Sequence, residues 1–216
     1  MTDPLEIHTI VSMPFEENTY VVWRPNQNAA LVIDPGLEPE LILEFLAERG
    51  LTPTAIVNTH GHADHIGGNA VLKAAYPAAP IVVGCNEAHL LTDADANLSA
   101  PFGMPVVSPP ADRLVRDGET LELAGIALEV REIPGHSPGH VVFIHHATPV
   151  QVFGGDVLFR GSVGRTDFPG GSAKVLFGGI RDKLFTLPDD SVVYPGHGPT
   201  TTTGHEKRTN PYVGAR

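Results

Sequence analysis

Cysteine is almost missing from this chain of 216 residues, since Cys85 is the only one. No internal disulfide can form, no set of thiolates can close a structural zinc site, and a reducing, cytoplasmic setting is expected. Basic residues are also scarce: 14 Lys and Arg stand against 25 Asp and Glu, for a formal net charge of −11. Nucleic-acid binding requires clustered Lys and Arg to neutralise phosphates, so a nucleic-acid partner is not expected. No apolar run reaches the roughly 20 residues that span a bilayer. The opening Met-Thr-Asp-Pro-Leu-Glu has no basic segment followed by an apolar one, so neither a leader nor a membrane anchor is expected. Linkers, low-complexity tracts and short repeats are absent as well. What the chain does have is 11 His, 23 Gly, 20 Pro and 42% hydrophobic residues. That profile predicts one domain over 1–216, built from short elements and many turns around a substantial core.

Hydrophobic periodicity places the elements. Alternating apolar positions from Glu6 to Leu31 predict two or three antiparallel strands, and Leu31-Val32-Ile33 predicts a buried strand halted by Asp34-Pro35-Gly36. From Pro39 to Arg49 a helix is expected, with Leu41, Ile42, Phe45 and Leu46 inward and Gly50 as its stop. Thr54 to Asn58 predicts a strand, Asn69 to Tyr76 a short helix and Pro80 to Gly84 a strand; Pro101 to Pro110 predicts a surface loop. Further strands are expected at Ala127 to Glu132, Val141 to Ile144, Val150 to Phe153 and Val192 to Tyr194, and a helix at Ser172 to Phe185 weakened by Gly178-Gly179.

Four of the predicted strands end in residues that can hold a metal. Thr54 to Asn58 runs into His60-Gly61-His62-Ala63-Asp64-His65, and the other three lead to His136, Asp156 and His197. Seven such donors exceed one tetrahedral site and suit two. Imidazole with carboxylate is compatible with zinc, iron, manganese or nickel, and a site without thiolates that keeps a position open suits catalysis.

With these motifs the sequence resembles the metallo-β-lactamase superfamily, and within it the short hydroxyacylglutathione hydrolase (glyoxalase II)-like proteins. The likeness extends from Asp34-Pro35-Gly36 to Tyr194-Pro195-Gly196-His197. It includes Gly161-Ser162-Val163-Gly164-Arg165-Thr166-Asp167-Phe168, Gly198-Pro199-Thr200-Thr201 and Glu206-Lys207-Arg208-Thr209-Asn210-Pro211. The resemblance implies an α/β (α+β) architecture, a four-layer αββα sandwich with its metals at one edge. It further implies that His60, His62 and His136 hold one divalent ion, that Asp64, His65 and His197 hold a second, and that Asp156 bridges them. Zinc is the expected metal, with iron or manganese as alternatives. A hydroxide held between two such ions would attack the carbonyl of a small-molecule thioester such as S-lactoylglutathione, with Asp64 and Asp156 acting as ligands that position it. Long glyoxalase II enzymes add a C-terminal helical region for glutathione, and no counterpart is expected here.

Other readings stand beside this one. A persulfide dioxygenase would use His60, His136 and Asp156 as a triad on one iron, although Gly196-His197-Gly198-Pro199 matches the hydrolase ending. A lactonase or other ester hydrolase could use the same metal pair. Asp34 reads either as a turn residue or as a partner orienting the His60 loop, and His140 as packing or support rather than ligand. Arg165 and Asp167 read as an ion pair or as cleft lining, Cys85 as a small packed side chain, and His8, His89, His145, His146 and His205 as ordinary residues.

Overall fold

The computed structural model describes residues 5–215. The expectation of no leader falls partly on residues 1–4, outside the described residues. The first sheet contains β1 (Glu6–Ser12), β2 (Glu17–Trp23), β3 (Ala29–Ile33), β4 (Thr52–Asn58), β5 (Ile81–Gly84) and β6 (Arg113–Val115), in that spatial order. β1 to β3 pair antiparallel and β3 to β6 pair parallel. The second sheet is built from β7 (Thr120–Leu123), β8 (Ile126–Glu132), β9 (Val141–His145) and β10 (Gln151–Gly155). A small ribbon, β11 (Leu158–Phe159) and β12 (Ser162–Val163), stands apart, and β13 (Val192–Pro195) and β14 (Thr201–Thr202) complete the second sheet in the order β14-β13-β10-β9-β8-β7.

Both sheets are covered on both faces, which is why their central strands read as continuous apolar runs instead of strict alternation. Tyr20, Val22, Leu31, Ile33 and Val57 of the first sheet meet Leu128, Val130, Phe143 and Phe153 of the second in the central core. On the far side of the first sheet, Val21, Val32 and Ile56 pack against α1 (Pro39–Arg49), the short α2 (Ala63–Ile66) and α3 (Asn69–Ala75). On the far side of the second, Val142, Ile144 and Val152 pack against α4 (Ala173–Gly179) and the π-helical turn Ile180–Leu184 that continues it. The three apolar layers make the expected four-layer αββα sandwich. α5 (Thr203–Thr209) closes the described chain after β14.

The helix at 39–49 ends as its sequence requires: Gly50 takes φ +64°, and the Leu51 N–H reaches the Leu46 carbonyl at 2.9 Å. Leu41, expected inside, is exposed, because the inward stripe of Ile42, Phe45 and Leu46 lies about 100° further round the helix. The helix expected over 172–185 is split into α4 and the wider π turn after the glycine pair. β6, β11, β12 and β14, two or three residues each, are too short to show a period in the sequence. Cys85 is half-buried just beyond β5. No helix among the described residues is long and apolar enough to cross a membrane.

Asp112 ties β5 to the approach to β6, accepting from the Ile81 N–H at 2.8 Å and from Lys73 Nζ at 2.9 Å. These bonds hold its pKa below the usual carboxylate value. Its contribution to stability is therefore complete at neutral pH and is lost as pH falls through the lowered folded pKa. Asp112→Asn is expected to cost about 0.5–1 kcal/mol at pH 7, and the difference from wild type to shrink toward zero by about pH 2. Urea unfolding of both proteins at the two pH values checks this, and a gap that widens in acid would contradict it.

Candidate metal centre

β4, β8, β10 and β13 all deliver their C-terminal ends to one edge of the sandwich, and the predicted donors occupy the loops that follow. Two backbone hydrogen bonds join the sheets there: Val141 N–H to the Thr59 carbonyl (2.9 Å) and Asn18 N–H to the Gly196 carbonyl (2.7 Å). The edge is thereby fixed in both sheets at once.

The structure brings all seven predicted residues together. His62 Nδ1 lies 3.1 Å from His60 Nε2 and 2.9 Å from His136 Nε2. A second group consists of Asp64, His65 and His197, with His197 Nε2 at 3.3 Å and His65 Nε2 at 3.8 Å from Asp64 Oδ2. Asp156 stands between the groups, with Oδ1 at 3.4 Å from His65 Nε2 and Oδ2 at 3.5 Å from His136 Nε2 and 3.6 Å from His197 Nε2.

The rear nitrogens of these imidazoles show a common arrangement. His136 Nδ1–H donates to the Arg165 carbonyl (2.9 Å), His197 Nδ1–H to the Phe15 carbonyl (3.0 Å) and His65 Nδ1–H to Asp34 Oδ2 (3.1 Å). Thr59 Oγ1 donates to Asp34 Oδ2 at 2.6 Å, so its free lone pair accepts from His60 Nδ1–H at 3.1 Å. In these four rings the rear nitrogen is engaged and the other nitrogen is turned toward the centre, the usual outer support of a metal-binding histidine. His65 Nε2 and Asp156 Oδ1 are buried without any hydrogen-bond partner. Unpartnered buried acceptors are costly, and divalent cations among these donors would satisfy them. The residues present fit such ions.

Burial would lower His65 and His197, but the facing Asp64 and Asp156 outweigh it and raise both, so a proton shared with these carboxylates stands where a cation would otherwise sit. Burial and the neighbouring His136 push His62 down to about 3, and burial with the surrounding imidazoles lowers His60 strongly, so both are neutral lone-pair donors at pH 7. Burial would raise Asp156, but His65, His136 and His197 outweigh it and hold the carboxyl well below the carboxylate range. Asp64 is likewise lowered, as His65 and His197 overcome its burial.

Supporting residues settle several open readings. Asp34 is both a turn residue, at φ +49°, and a clamp: its Oδ1 accepts from Thr59 N–H at 2.7 Å while Oδ2 holds His65. His140 stacks on His60 and accepts the Asp156 N–H at 3.0 Å, so it supports two donors from behind. Arg165 and Asp167 form a bidentate pair at 2.8 Å for both bonds, and Arg165 also lines the cleft beside the centre. The Glu206-to-Asn210 motif pins the small ribbon: Glu206 accepts from Gly161 N–H and Thr201 Oγ1, and Asn210 Nδ2 donates to the Ser162 carbonyl.

Four contributors carried no signal in the sequence. Asn18 donates through Nδ2 to the Pro195 and Gly198 carbonyls, gripping the His197 loop from both sides, and the Tyr20 hydroxyl donates to Pro195 as well. Glu17, fully buried, lies 3.9 Å from His65 Nδ1. Glu87 accepts from Gly61 N–H (2.9 Å), Ser137 Oγ (2.8 Å) and Gly139 N–H (2.6 Å), joining the His60–His62 loop to the His136 loop. A glutamate between two apolar stretches is unremarkable in sequence; only its three donors, far away in the chain, give it a role. Glu87→Ala leaves those donors buried and unpaired and is expected to destabilise the protein by about 2–4 kcal/mol. Equilibrium unfolding in urea measures this, and a change under about 0.5 kcal/mol would contradict it.

A family model described as the metallo-beta-lactamase superfamily matches residues 13–197. The Haemophilus influenzae hydroxyacylglutathione hydrolase GloC is 38% identical over 215 residues, covering 98% of this chain and 100% of its own. Among solved structures, the BLEG-1 B3 metallo-beta-lactamase is 35% identical with a TM-score of 0.92, covering 96% of this chain and 99% of that one. TTHA1623 in a di-iron-bound form is 40% identical with a TM-score of 0.83, covering 95% and 99%.

Proposed function

The chain belongs to the metallo-beta-lactamase superfamily, and from that membership we propose that it is a two-metal hydrolase acting on thioesters, S-lactoylglutathione or a similar glutathione thioester among them. In this reading His60, His62 and His136 hold one divalent ion, Asp64, His65 and His197 hold another, and Asp156 serves both. The observation that carries it is the pair His65 Nε2 and Asp156 Oδ1, buried 3.4 Å apart with neither in a hydrogen bond, set among imidazoles of which His60, His65, His136 and His197 have their rear nitrogens engaged. The Asp64–His65–His197 group is what favours two ions over a one-iron dioxygenase built on His60, His136 and Asp156. Zinc is the proposed metal; the di-iron form of TTHA1623 makes iron the alternative to test.

Bound divalent ions supply acidified water at neutral pH and positive charge where an oxyanion develops. The protein's own part is positional. Asp64 and Asp156 would hold the ions rather than act as general bases, since both carboxylates are committed to facing imidazoles. Asp34, Thr59 and the Arg165 and Phe15 carbonyls keep those imidazoles from rotating. Phe168, 5.5 Å from the His62 ring, and Phe159, 6.1 Å from the His197 ring, restrict water on either side. A thiolate leaves readily, with a conjugate-acid pKa of roughly 8.5, so no protonating side chain is required at sulfur.

Metal analysis of the purified protein, together with loss of the thioester absorbance of S-lactoylglutathione, tests the reading. About two ions per chain with hydrolysis is the expected result. One iron per chain with oxygen uptake would replace it with the dioxygenase; two ions with turnover only of lactones or oxygen esters would move the substrate to that class.

A further inference from the structure

The cleft in front of the candidate metal centre encloses about 410 Å³. Its walls come from several loops: Leu37, Leu98, Met104, Val106, Phe159 and Phe168. Phe168 and Phe159 stand at opposite ends of the centre, one edge-on to His62 and the other to His197. Apart from the centre's own residues, charge in this lining is confined to Arg165 among the described residues. That guanidinium is already engaged on two sides, by both Asp167 oxygens at 2.8 Å and by the Phe168 ring 4.0 Å beneath it. Lys207 and Arg208 bond Asp189, and neither they nor Lys174 line the cleft.

Glutathione carries two carboxylates and a net negative charge at neutral pH. Recognition of such a group calls for cationic side chains with donors to spare, and this cleft offers none beyond the paired Arg165. The chain's formal charge of −11 works in the same direction. Apolar walls, in contrast, reward every methylene that they remove from water.

We propose that the cleft selects substrates by an uncharged, apolar group next to the scissile carbonyl, and that a thioester with a medium-length acyl chain is preferred to the lactoyl ester whichever thiol it carries. The inference rests on the thioesterase reading for the bond that is cleaved, but not for binding. In that reaction a C–O bond forms from water to the acyl carbon, the C–S bond breaks, and the products are a carboxylic acid and a free thiol.

Binding and turnover are measured separately, both on the metal-loaded protein. The binding probes are four inert thioethers: S-methyl and S-hexyl derivatives of glutathione and of neutral N-acetylcysteamine, followed by calorimetry. Each buried methylene is expected to raise affinity about fourfold, so hexyl should exceed methyl by at least about tenfold on either thiol. Glutathione and N-acetylcysteamine should lie within about threefold of one another. Met104→Ser, at a cleft position 47% exposed, should weaken hexyl binding by severalfold while leaving methyl binding and metal content unchanged. The turnover arm compares hexanoyl with lactoyl thioesters of both thiols, and kcat/KM should follow the same order. Affinity indifferent to chain length, a tenfold advantage for glutathione, or preferred turnover of the lactoyl ester would overturn the inference while leaving the thioesterase reading intact. Tight hexyl binding without hydrolysis of any thioester would support the inference and remove the thioesterase reading.

Discussion

Asp156→Asn is expected to lower kcat/KM for thioester hydrolysis by on the order of 10³-fold or more and to leave the protein short of its full metal content. The carboxylate faces both sets of donors, with Oδ1 toward His65 and Oδ2 toward His136 and His197. Asparagine keeps the shape but removes the negative charge, and its amide nitrogen presents hydrogens where a cation needs lone pairs. Asp64→Asn, at the edge of the second group, is expected to release about one ion per chain and to cost less activity, because His60, His62 and His136 remain intact. Metal content and kinetics measured on the same preparations separate the two variants. Asp156→Asn with two ions and near-normal turnover would refute the bridging role; equal metal loss from both variants would refute the division into two groups.

Gly196→Ala should be nearly as damaging, although it removes no donor. A Cβ at this position would stand 2.2 Å from Asp156 Oδ1 and 2.6 Å from His65 Cε1, distances that force both side chains to move. Misplacing donors by a fraction of an ångström is expected to cost about 10²-fold in activity, with a stability loss of about 1–3 kcal/mol from overpacking. Gly178→Ala is the matched control, since a Cβ there meets nothing within 4 Å and the residue lies in α4. It should leave activity unchanged and stabilise the protein by about 0.5–1 kcal/mol through helix propensity. Spectroscopy of a cobalt-substituted Gly196→Ala protein would show an altered coordination envelope; an unperturbed spectrum with full activity would mean that the loop absorbs the methyl group without touching Asp156.

The seven candidate donors stood out in the sequence because they fall just after predicted strands, and the family resemblance joined them into one set; the strand before His136 is half exposed, with the alternating pattern its sequence shows. The sandwich was implied by the resemblance to the metallo-β-lactamase superfamily rather than by any strand pattern, and its two sheets, covered on both faces, account for the continuous apolar runs of the central strands. The helix at 39–49 was legible through Pro39 and Gly50, whereas its inward face was misjudged at Leu41, since Leu41 and Ile42 differ by a rotation that a list of apolar residues does not weigh. Short pairings such as β11 with β12 hold two residues each and leave no periodic trace.

By itself, then, the sequence determined which side chains could bind metal, the strands that deliver them and the family to which the chain belongs. The family resemblance implied how those side chains are grouped, and the tertiary structure decided which nitrogen of each imidazole faces the others and what surrounds them. Asn18 reaches Gly198 across 180 positions, Glu87 draws together loops 26 and 52 positions away, and Arg165 sets the tautomer of His136 through a backbone carbonyl. Hydrogen bonds of this kind depend on where two distant segments meet rather than on what either contains, and a carbonyl oxygen is the same in every residue. The physical reason is the short range of the forces involved: ligand identity is a property of one residue, but ligand geometry is a property of its neighbours in space.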